Sequence, residues 1–179
     1  MEHSIDRVII LPSKGNDFRE ELNDCQEQIK NYFTDKQCRI VQQSFFIDVS
    51  DNAAYVSQSR LISDELKARS LNFPPTSIIA QIPALGHRLS VELLIIHNIP
   101  ESLEINYRQL NGIRYTCIEA EDKKEIYIGG ITAGNTSAPF KEQVEKAYKL
   151  LDAVLKKEGM DFGNICHCPH RNICGRCNL

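Results

Sequence analysis

The sequence predicts an α+β protein in which a mixed sheet packs against two or three helices, with about one and a half copies of a repeated unit. Three observations predict this fold. Short apolar runs bounded by Pro or Gly, which favour strands, alternate with stretches whose apolar residues fall at helical spacing. Residues 74–96 read as a pair of buried strands around a turn. The apolar positions of the first helix also recur in a later helix.

The first half of the chain alternates strands and helices in the following order: strand 7–11, helix 17–34, strand 38–49, helix 53–69, strand 78–81 and strand 89–96. Both helices carry apolar residues on one side, which is typical of helices packed on a sheet. The last two strands are rich in aliphatic residues and are joined by a turn at 83–86. Residues 93–96 are apolar without alternation, so we expect this strand to be covered on both faces.

The second half begins with a polar passage and then repeats part of the first half. Residues 99–111 are predicted to be a linker, and residues 113–120 and 125–133 a hairpin. The helix that follows ends at Gly159 and repeats the apolar positions of the first helix. The matched pairs are Phe18 and Phe140, Leu22 and Val144, Cys25 and Ala147, Ile29 and Leu151, and Phe33 and Leu155. The repeat stops after Ile165, so the second copy is about half complete.

Composition and charge argue against two classes of partner. With 21 Lys and Arg against 24 Asp and Glu, the net charge is −3 and the isoelectric point is near 6.0. No basic face is evident, so the sequence predicts no nucleic-acid binding. No apolar run approaches the roughly 18 residues that span a bilayer, so no membrane association is predicted. The first residues lack the pattern of a signal peptide, and we therefore expect a cytoplasmic protein.

Four of the seven cysteines lie within residues 166–179, in the segment CHCPHRNICGRC. The thiolates of Cys166, Cys168, Cys174 and Cys177 are the ligand type and number of a structural zinc site. The first pair has Cys-x-Cys spacing and a short gap follows it, which departs from the usual pairs of Cys-x-x-Cys. The alternative is that residues 166–179 are the product of a frameshift or truncation. Apart from this zinc site, no cofactor is predicted.

One acid interrupts the apolar strand 89–96. Glu92 lies between aliphatic residues, and a carboxylate in such a strand must be paired, solvated by a cleft or protonated. A glutamate that simply points to solvent on an exposed face is the alternative. Glu92 is therefore the residue of this strand to which chemistry is most readily assigned.

Three segments carry a resemblance to a known family: YIGGITA at 127–133, FKEQVEKA with the later EGMDFGNI within 140–165, and PPTSIIAQIPALGHRLSVELLII at 74–96. The chain resembles a divergent tandem or truncated member of the RidA/YjgF superfamily, also described as endoribonuclease L-PSP-like. The resemblance implies a sheet like that of chorismate mutase, with the order strand hairpin, helix, strand, helix, strand, strand. It also implies a homo-oligomer, either a trimer or a pseudo-trimer.

The same resemblance divides the chain into four segments. These are a RidA-like domain with a reduced opening hairpin at 1–98, a linker at 99–111, the hairpin and helix of a second repeat at 112–165, and the Cys-rich tail at 166–179.

The resemblance further implies a set of site residues in a cleft between subunits or domains. Imine-hydrolysing members use an arginine in a Pro-x-Arg-Ser context to hold the substrate carboxylate. Thr76 stands at that position here, so ordinary imine deaminase activity is not expected. Glu92 aligns with a late-strand glutamate of the family and is the candidate catalytic residue. The predicted substrate-binding residues are Thr76, Ser77, Arg88, Gly129 and Gly130.

Three functions remain open on this basis. The first is a divergent RidA-like domain that binds or hydrolyses a small anionic metabolite. The second is an incomplete relative of a two-domain, chorismatase-type hydrolase, in which Glu92 would protonate the departing enol. The third is a non-catalytic interaction protein with a zinc-binding tail. If the protein is an enzyme, the sequence predicts a hydrolase.

Overall fold

The computed structural model describes residues 4–34, 38–69, 73–134, 137–167 and 173–178. Within these ranges the chain contains two sheets and three α-helices, which confirms the predicted α+β class. The backbone contacts divide the chain into two compact units, Met1–Pro100 and Glu101–Leu179, called the first and second units below.

The first unit alternates strands and helices in the predicted order: β1 (Ser4–Ile10), α1 (Phe18–Thr34), β2 (Cys38–Ile47), α2 (Asn52–Arg69), β3 (Thr76–Ala80) and β4 (Leu89–His97). The observed helices begin within one residue of the predicted starts. Asp17 caps α1, because its side chain accepts a hydrogen bond of 2.9 Å from the backbone N–H of Glu20. Asp51 caps α2 in the same way through the N–H of Ala54, at 2.8 Å.

The strands of the first unit lie in the order β1, β4, β2, β3. β4 is antiparallel to both of its neighbours, and β3 is parallel to β2. The sequence predicts that strands 78–81 and 89–96 pair with each other, and this is wrong because β2 lies between them. The helix α2 returns the chain so that β3 runs alongside β2, as in other strand–helix–strand connections. As the edge strand, β3 is also only half-buried, whereas a buried strand is predicted.

Both helices pack on one face of this sheet. The side chains of β4 that face them are fully buried, namely Leu89, Val91, Leu93 and Ile95. Phe45 and Ile47 of β2 and Leu22 and Cys25 of α1 complete the centre of the core. Alternate residues of each strand face the helices, because side chains of a strand point to opposite faces in turn. We call this face the helix side of the sheet.

The second unit contains β5 (Glu104–Leu110), β6 (Ile113–Glu119), β7 (Lys123–Ile128), α3 (Phe140–Lys157), β8 (Ile165–His167) and β9 (Ile173–Asn178). Its strands lie in the order β5, β6, β7, β9, β8. The helix α3 begins at Phe140, the repeat equivalent of Phe18 at the start of α1. Leu151, Val154 and Leu155 of α3 pack on the sheet.

The predicted linker 99–111 is wrong over most of its length, because β5 occupies it. β5 pairs with β6 along its full length, from the Leu110–Ile113 pair to the Glu104–Glu119 pair. Asn111 and Gly112 form the turn, with φ values of 50° and 83°. Positive φ at both turn residues is the geometry that Asn-Gly favours between paired strands.

The second strand of the predicted hairpin is shorter than expected. It ends at Ile128, whereas the prediction extends it to residue 133. Gly129 and Gly130 therefore follow the strand and do not lie inside it, and Gly130 has a φ of 65°. A residue with a side chain would be strained at that φ, so the backbone turn explains a glycine at position 130.

The backbone of residues 173–178 pairs with β7, so part of the Cys-rich segment belongs to the sheet. No α-helix in the described part of the chain is long and apolar enough to cross a bilayer.

Candidate functional site

A cavity of about 450 Å³ lies in the first unit between α1, α2 and the helix side of β2. This volume falls in the range of small-molecule pockets. Its described lining, which defines the helix-side cavity, consists of Gln26, Ile29 and Lys30 from α1, Gln43 and Phe45 from β2, and Leu66 from α2. The walls therefore combine three apolar side chains with two amides and one cation.

Gln26 is the distinctive group of the helix-side cavity. Gln26 is next to the buried Cys25 in sequence and lies one helical turn before Ile29. Only 5 % of the residue is exposed. Neither its Oε1 nor its Nε2 has a hydrogen-bond partner within the described ranges of the chain. A buried polar group without a partner costs about 1–3 kcal/mol of folding stability. Native proteins rarely retain such groups, so the position calls for an explanation.

Gln43 supplies the second amide of the cavity and is itself held in place. It precedes Phe45 and Ile47 on the helix side of β2 and is buried. Its Nε2 donates to Oγ1 of Thr76 at 2.8 Å, and that hydroxyl donates to the carbonyl oxygen of Pro74 at 3.0 Å. The predicted binding residue Thr76 therefore fixes the orientation of a cavity amide.

Lys30 gives the helix-side cavity a positive group that reaches solvent. Its side chain is 69 % exposed, and its Nζ lies 3.7 Å from Oε2 of Glu27. An exposed pair at this distance contributes little to stability, so the ammonium can change partners at small energetic expense.

The predicted residues Ser77 and Glu92 lie on the other face of the sheet, away from Thr76. In the register of the strands, Ser77 pairs with Ser44, and Ser44 pairs with Glu92. Oε2 of Glu92 accepts a hydrogen bond from Nη1 of Arg7 at 3.0 Å, and its side chain is 19 % exposed. Of the three states expected for Glu92, the structure shows the paired one.

Arg88 is also engaged, at the start of β4. Its backbone N–H donates to Oε2 of Glu21 at 2.9 Å, and its Nη1 lies 3.1 Å from Oε1 of the same carboxylate. The Glu21 side chain is buried, so the pair fixes the entry to β4 against the first turn of α1. Gly129 and Gly130 belong to the second unit. The structure thus separates the predicted site residues onto two sheet faces and two units.

A group of charged side chains, which we call the charge cluster, lies in the second unit around Glu158 at the end of α3. Its members are Arg108, Glu119, Lys124 and Glu158, in contact with Tyr115 and Cys117. Glu158 accepts from Nη1 of Arg108 and from the hydroxyl of Tyr115, each at 2.7 Å. Nζ of Lys124 lies 2.9 Å from Glu119 and 3.3 Å from Glu158. Two cations thus balance two carboxylates.

The contacts of the charge cluster shift the pKa values of its members. Burial alone would raise the pKa of Glu158, but hydrogen bonds from Tyr115, Arg108 and Lys124 outweigh it and lower that pKa. The hydrogen bond from Lys124 is the main reason that the pKa of Glu119 is lowered. Burial raises the pKa of the Cys117 thiol to about 12, which leaves it protonated and unreactive.

Atoms of Cys117, Glu119 and Glu158 that are able to bind a metal lie within 4.8 Å of one another. Both carboxylates already contact Arg108 and Lys124, whose positive charges would repel a metal ion. The donor set therefore fits internal salt bridges that link β5, β6, β7 and the end of α3 better than it fits a metal site.

The predicted zinc site lies largely outside what the structure describes. Cys168 is not among the described residues. Of Cys166, Cys174 and Cys177 only the backbone is described, and Cys166 and Cys174 are opposite each other in the pairing of β8 with β9. Zinc binding by these cysteines stays a prediction.

Sequence reasoning missed Gln26 and Gln43, although both left a signal. Gln26 lies beside the apolar positions Leu22, Cys25 and Ile29 of α1, and Gln43 occupies a position in line with Phe45 and Ile47 of β2. A polar residue at a core position of an amphipathic pattern marks either a satisfied internal contact or a site. The sequence does not say which, because the partners are distant in the chain.

Comparisons with protein-family models, with curated proteins and with solved structures found no match to this chain. Its function must therefore be inferred from the geometry.

Proposed function

We propose that this chain is a RidA-like small-molecule-binding protein and that its ligand lies in the helix-side cavity of the first unit. The observation that carries this proposal is the cavity itself, about 450 Å³ in volume, where an apolar wall meets the exposed ammonium of Lys30. The element order of the first unit, strand, helix, strand, helix, strand, strand, supports the resemblance on which the RidA-like part rests.

The contacts of the predicted catalytic residues favour binding over hydrolysis. Glu92 is held by Arg7, and Arg88 is held by the buried Glu21. Thr76 lacks the charge of the family arginine and bonds to Gln43. Hydrolysis by Glu92 would require its ion pair with Arg7 to open. A chorismatase-type reaction therefore ranks second, behind ligand binding.

The cation of Lys30 supports an anionic ligand. A carboxylate or phosphate on the ligand would find this ammonium where the cavity meets solvent, while the apolar body of the ligand packs on Ile29, Phe45 and Leu66. The homo-oligomer that the resemblance implies is part of the same proposal.

The test is a fragment screen of the full chain by NMR, with naphthalene and indole as defined apolar probes. Binding should shift the side-chain amide resonances of Gln26. The variant Leu66→Trp fills the cavity and should abolish these shifts, whereas Val56→Trp places the same side chain at an exposed position of the same helix and should leave them unchanged. The proposal is wrong if no probe binds, or if binding survives Leu66→Trp in a protein whose spectrum shows an intact fold.

A further inference from the structure

We infer that α3 pairs with α3 of a second copy of this chain, in antiparallel orientation, through the N-terminal half of the helix. The surface concerned, called the α3 face below, consists of Phe140, Val144, Ala147 and Tyr148. It belongs to the second unit, so the pairing is independent of the ligand proposed for the first.

The α3 face corresponds to a surface that the first unit covers. In the repeat, Val144 corresponds to Leu22 of α1, and Ala147 likewise corresponds to Cys25. Both Leu22 and Cys25 are fully buried, in one core with side chains of β4 and α2. Val144 and Ala147 are only half-buried. Within the described second unit α3 is the only α-helix, so it has no helix in the place that α2 takes beside α1.

Two exposed aromatic side chains mark the ends of the α3 face. Phe140 is 81 % exposed and Tyr148 is 59 % exposed. The ring centroid of Tyr148 lies 6.0 Å from that of Phe162, and this contact keeps the tyrosine ring at the surface. Together with Val144 the two aromatic residues form one ridge, because they follow each other at intervals of four residues. An exposed apolar ridge of this kind is typical of a contact between proteins.

An antiparallel pair centred on Val144 matches the ridge with its own copy. Phe140 of each chain then meets Tyr148 of the other, since the two residues lie four positions on either side of the centre. Such aromatic pairs contribute more than the area they bury. Ala147 beside the centre is small, so the two helices can approach closely. Packing of two ridges with four-residue spacing is also the commonest arrangement of helices in globular proteins.

Charge complementarity favours a second copy as the partner. Lys141 and Glu145 flank the α3 face on the same side, and their Nζ and Oε1 atoms are 3.9 Å apart. Their side chains are 88 % and 54 % exposed, so this pair is weak and can change partners. In the antiparallel pair Lys141 of each copy lies beside Glu145 of the other, because twofold symmetry repeats every contact. A parallel pair would instead place like charges side by side.

The test measures self-association of the full chain by sedimentation equilibrium. Three turns of one helix bury less than the roughly 800 Å² per partner of a standard interface, so we expect a dissociation constant of about 10–100 µM. Lys141→Glu places two acids beside the α3 face, and Glu145→Lys places two bases there. Each variant alone should associate at least about tenfold more weakly, because its copies repel each other. Mixed in equal amounts, the two variants should form a heterodimer about as stable as the unmodified dimer.

Recovery on mixing reports a contact between chains, because each chain keeps its own altered helix. The matched control is Lys156→Glu, the same reversal three turns beyond Val144, which should leave the dissociation constant unchanged. If a charge variant fails to fold by circular dichroism, Phe140→Ser decides instead: it should weaken association, whereas Val56→Ser, at an exposed position of α2, should not. The pairing is overturned if the unmodified chain stays monomeric at concentrations well above 100 µM, if folded Lys141→Glu associates normally, or if the folded variants stay apart when mixed.

Discussion

Replacing Gln26 by leucine removes an amide that is buried without a partner among the described residues, and we expect the chain to become more stable. The desolvation penalty of an unpaired buried polar group is about 1–3 kcal/mol, and leucine avoids it. The residue is 5 % exposed and borders a cavity of about 450 Å³, so the branched side chain has room. We therefore expect the free energy of unfolding to rise by about 1–3 kcal/mol.

Urea unfolding at equilibrium measures this change. With a slope of about 2 kcal/mol/M, the midpoint should rise by about 0.5–1.5 M at an unchanged slope. Hydrogen exchange of the backbone amides of β4 should slow in parallel, because these amides open with the core of the first unit.

The matched control is Gln28→Leu on the same helix. The Nε2 of Gln28 donates to the carbonyl oxygen of Leu11 at 2.8 Å and to Oδ2 of Asp24 at 2.7 Å. Its loss leaves both acceptors short of a partner, so this variant should be less stable than the unmodified chain. If Gln26→Leu lowers the stability by a similar amount, Gln26 has a partner in the folded protein and the reasoning about its unpaired amide is refuted.

Three further predictions concern the charge cluster and the buried thiols. Glu158→Gln places a neutral amide beside Arg108, at a position where the glutamate side chain is only 3 % exposed, so urea unfolding should show that the second unit loses about 3 kcal/mol of stability. The control Glu145→Gln, at an exposed position of α3, should lose less than about 0.5 kcal/mol. Because the pKa of Glu158 is lowered from its usual value of 4.5, its contribution to folding stability is complete above about pH 4.5 and is lost as the pH falls further. The difference in the free energy of unfolding between pH 6 and pH 3 should therefore be smaller in Glu158→Gln than in the unmodified chain. Burial raises the pKa of both Cys25 and Cys117 to about 12, so peptide mapping by mass spectrometry should find neither alkylated by iodoacetamide at pH 8 in the folded protein, and rapid alkylation of either would contradict the observed burial.

Much of the first unit could be predicted because its signals are local. The stripe of apolar residues on α1 and the aliphatic run of β4 each determine an element from its own residues. The pairing of the strands was harder to predict, since β3 and β4 are neighbours in sequence but β2 separates them in the sheet. β5 was missed because it is an edge strand and most of its residues are polar. Asn111 and Gly112 nevertheless carry the signature of a hairpin turn.

The candidate site was harder to predict for the same physical reason. The Glu92–Arg7 pair joins residues from the two ends of the first unit, and no local pattern reports it. Thr76 and Ser77 are adjacent in sequence but face opposite sides of the sheet, so a motif that groups them does not define one site. Gln26 is informative only because it has no partner among the described residues, which is a property of the folded chain.

The central position of β4 has a consequence for how the protein is made. β4 is the last strand of the first unit to leave the ribosome, yet it joins β1 to β2. Until His97 has emerged, β1 has no strand beside it and β2 has one open edge. The nascent chain therefore carries unpaired strand edges during most of its synthesis, a state in which chains associate with each other or with chaperones. A messenger that ends before codon 89 would yield a product unable to close this sheet.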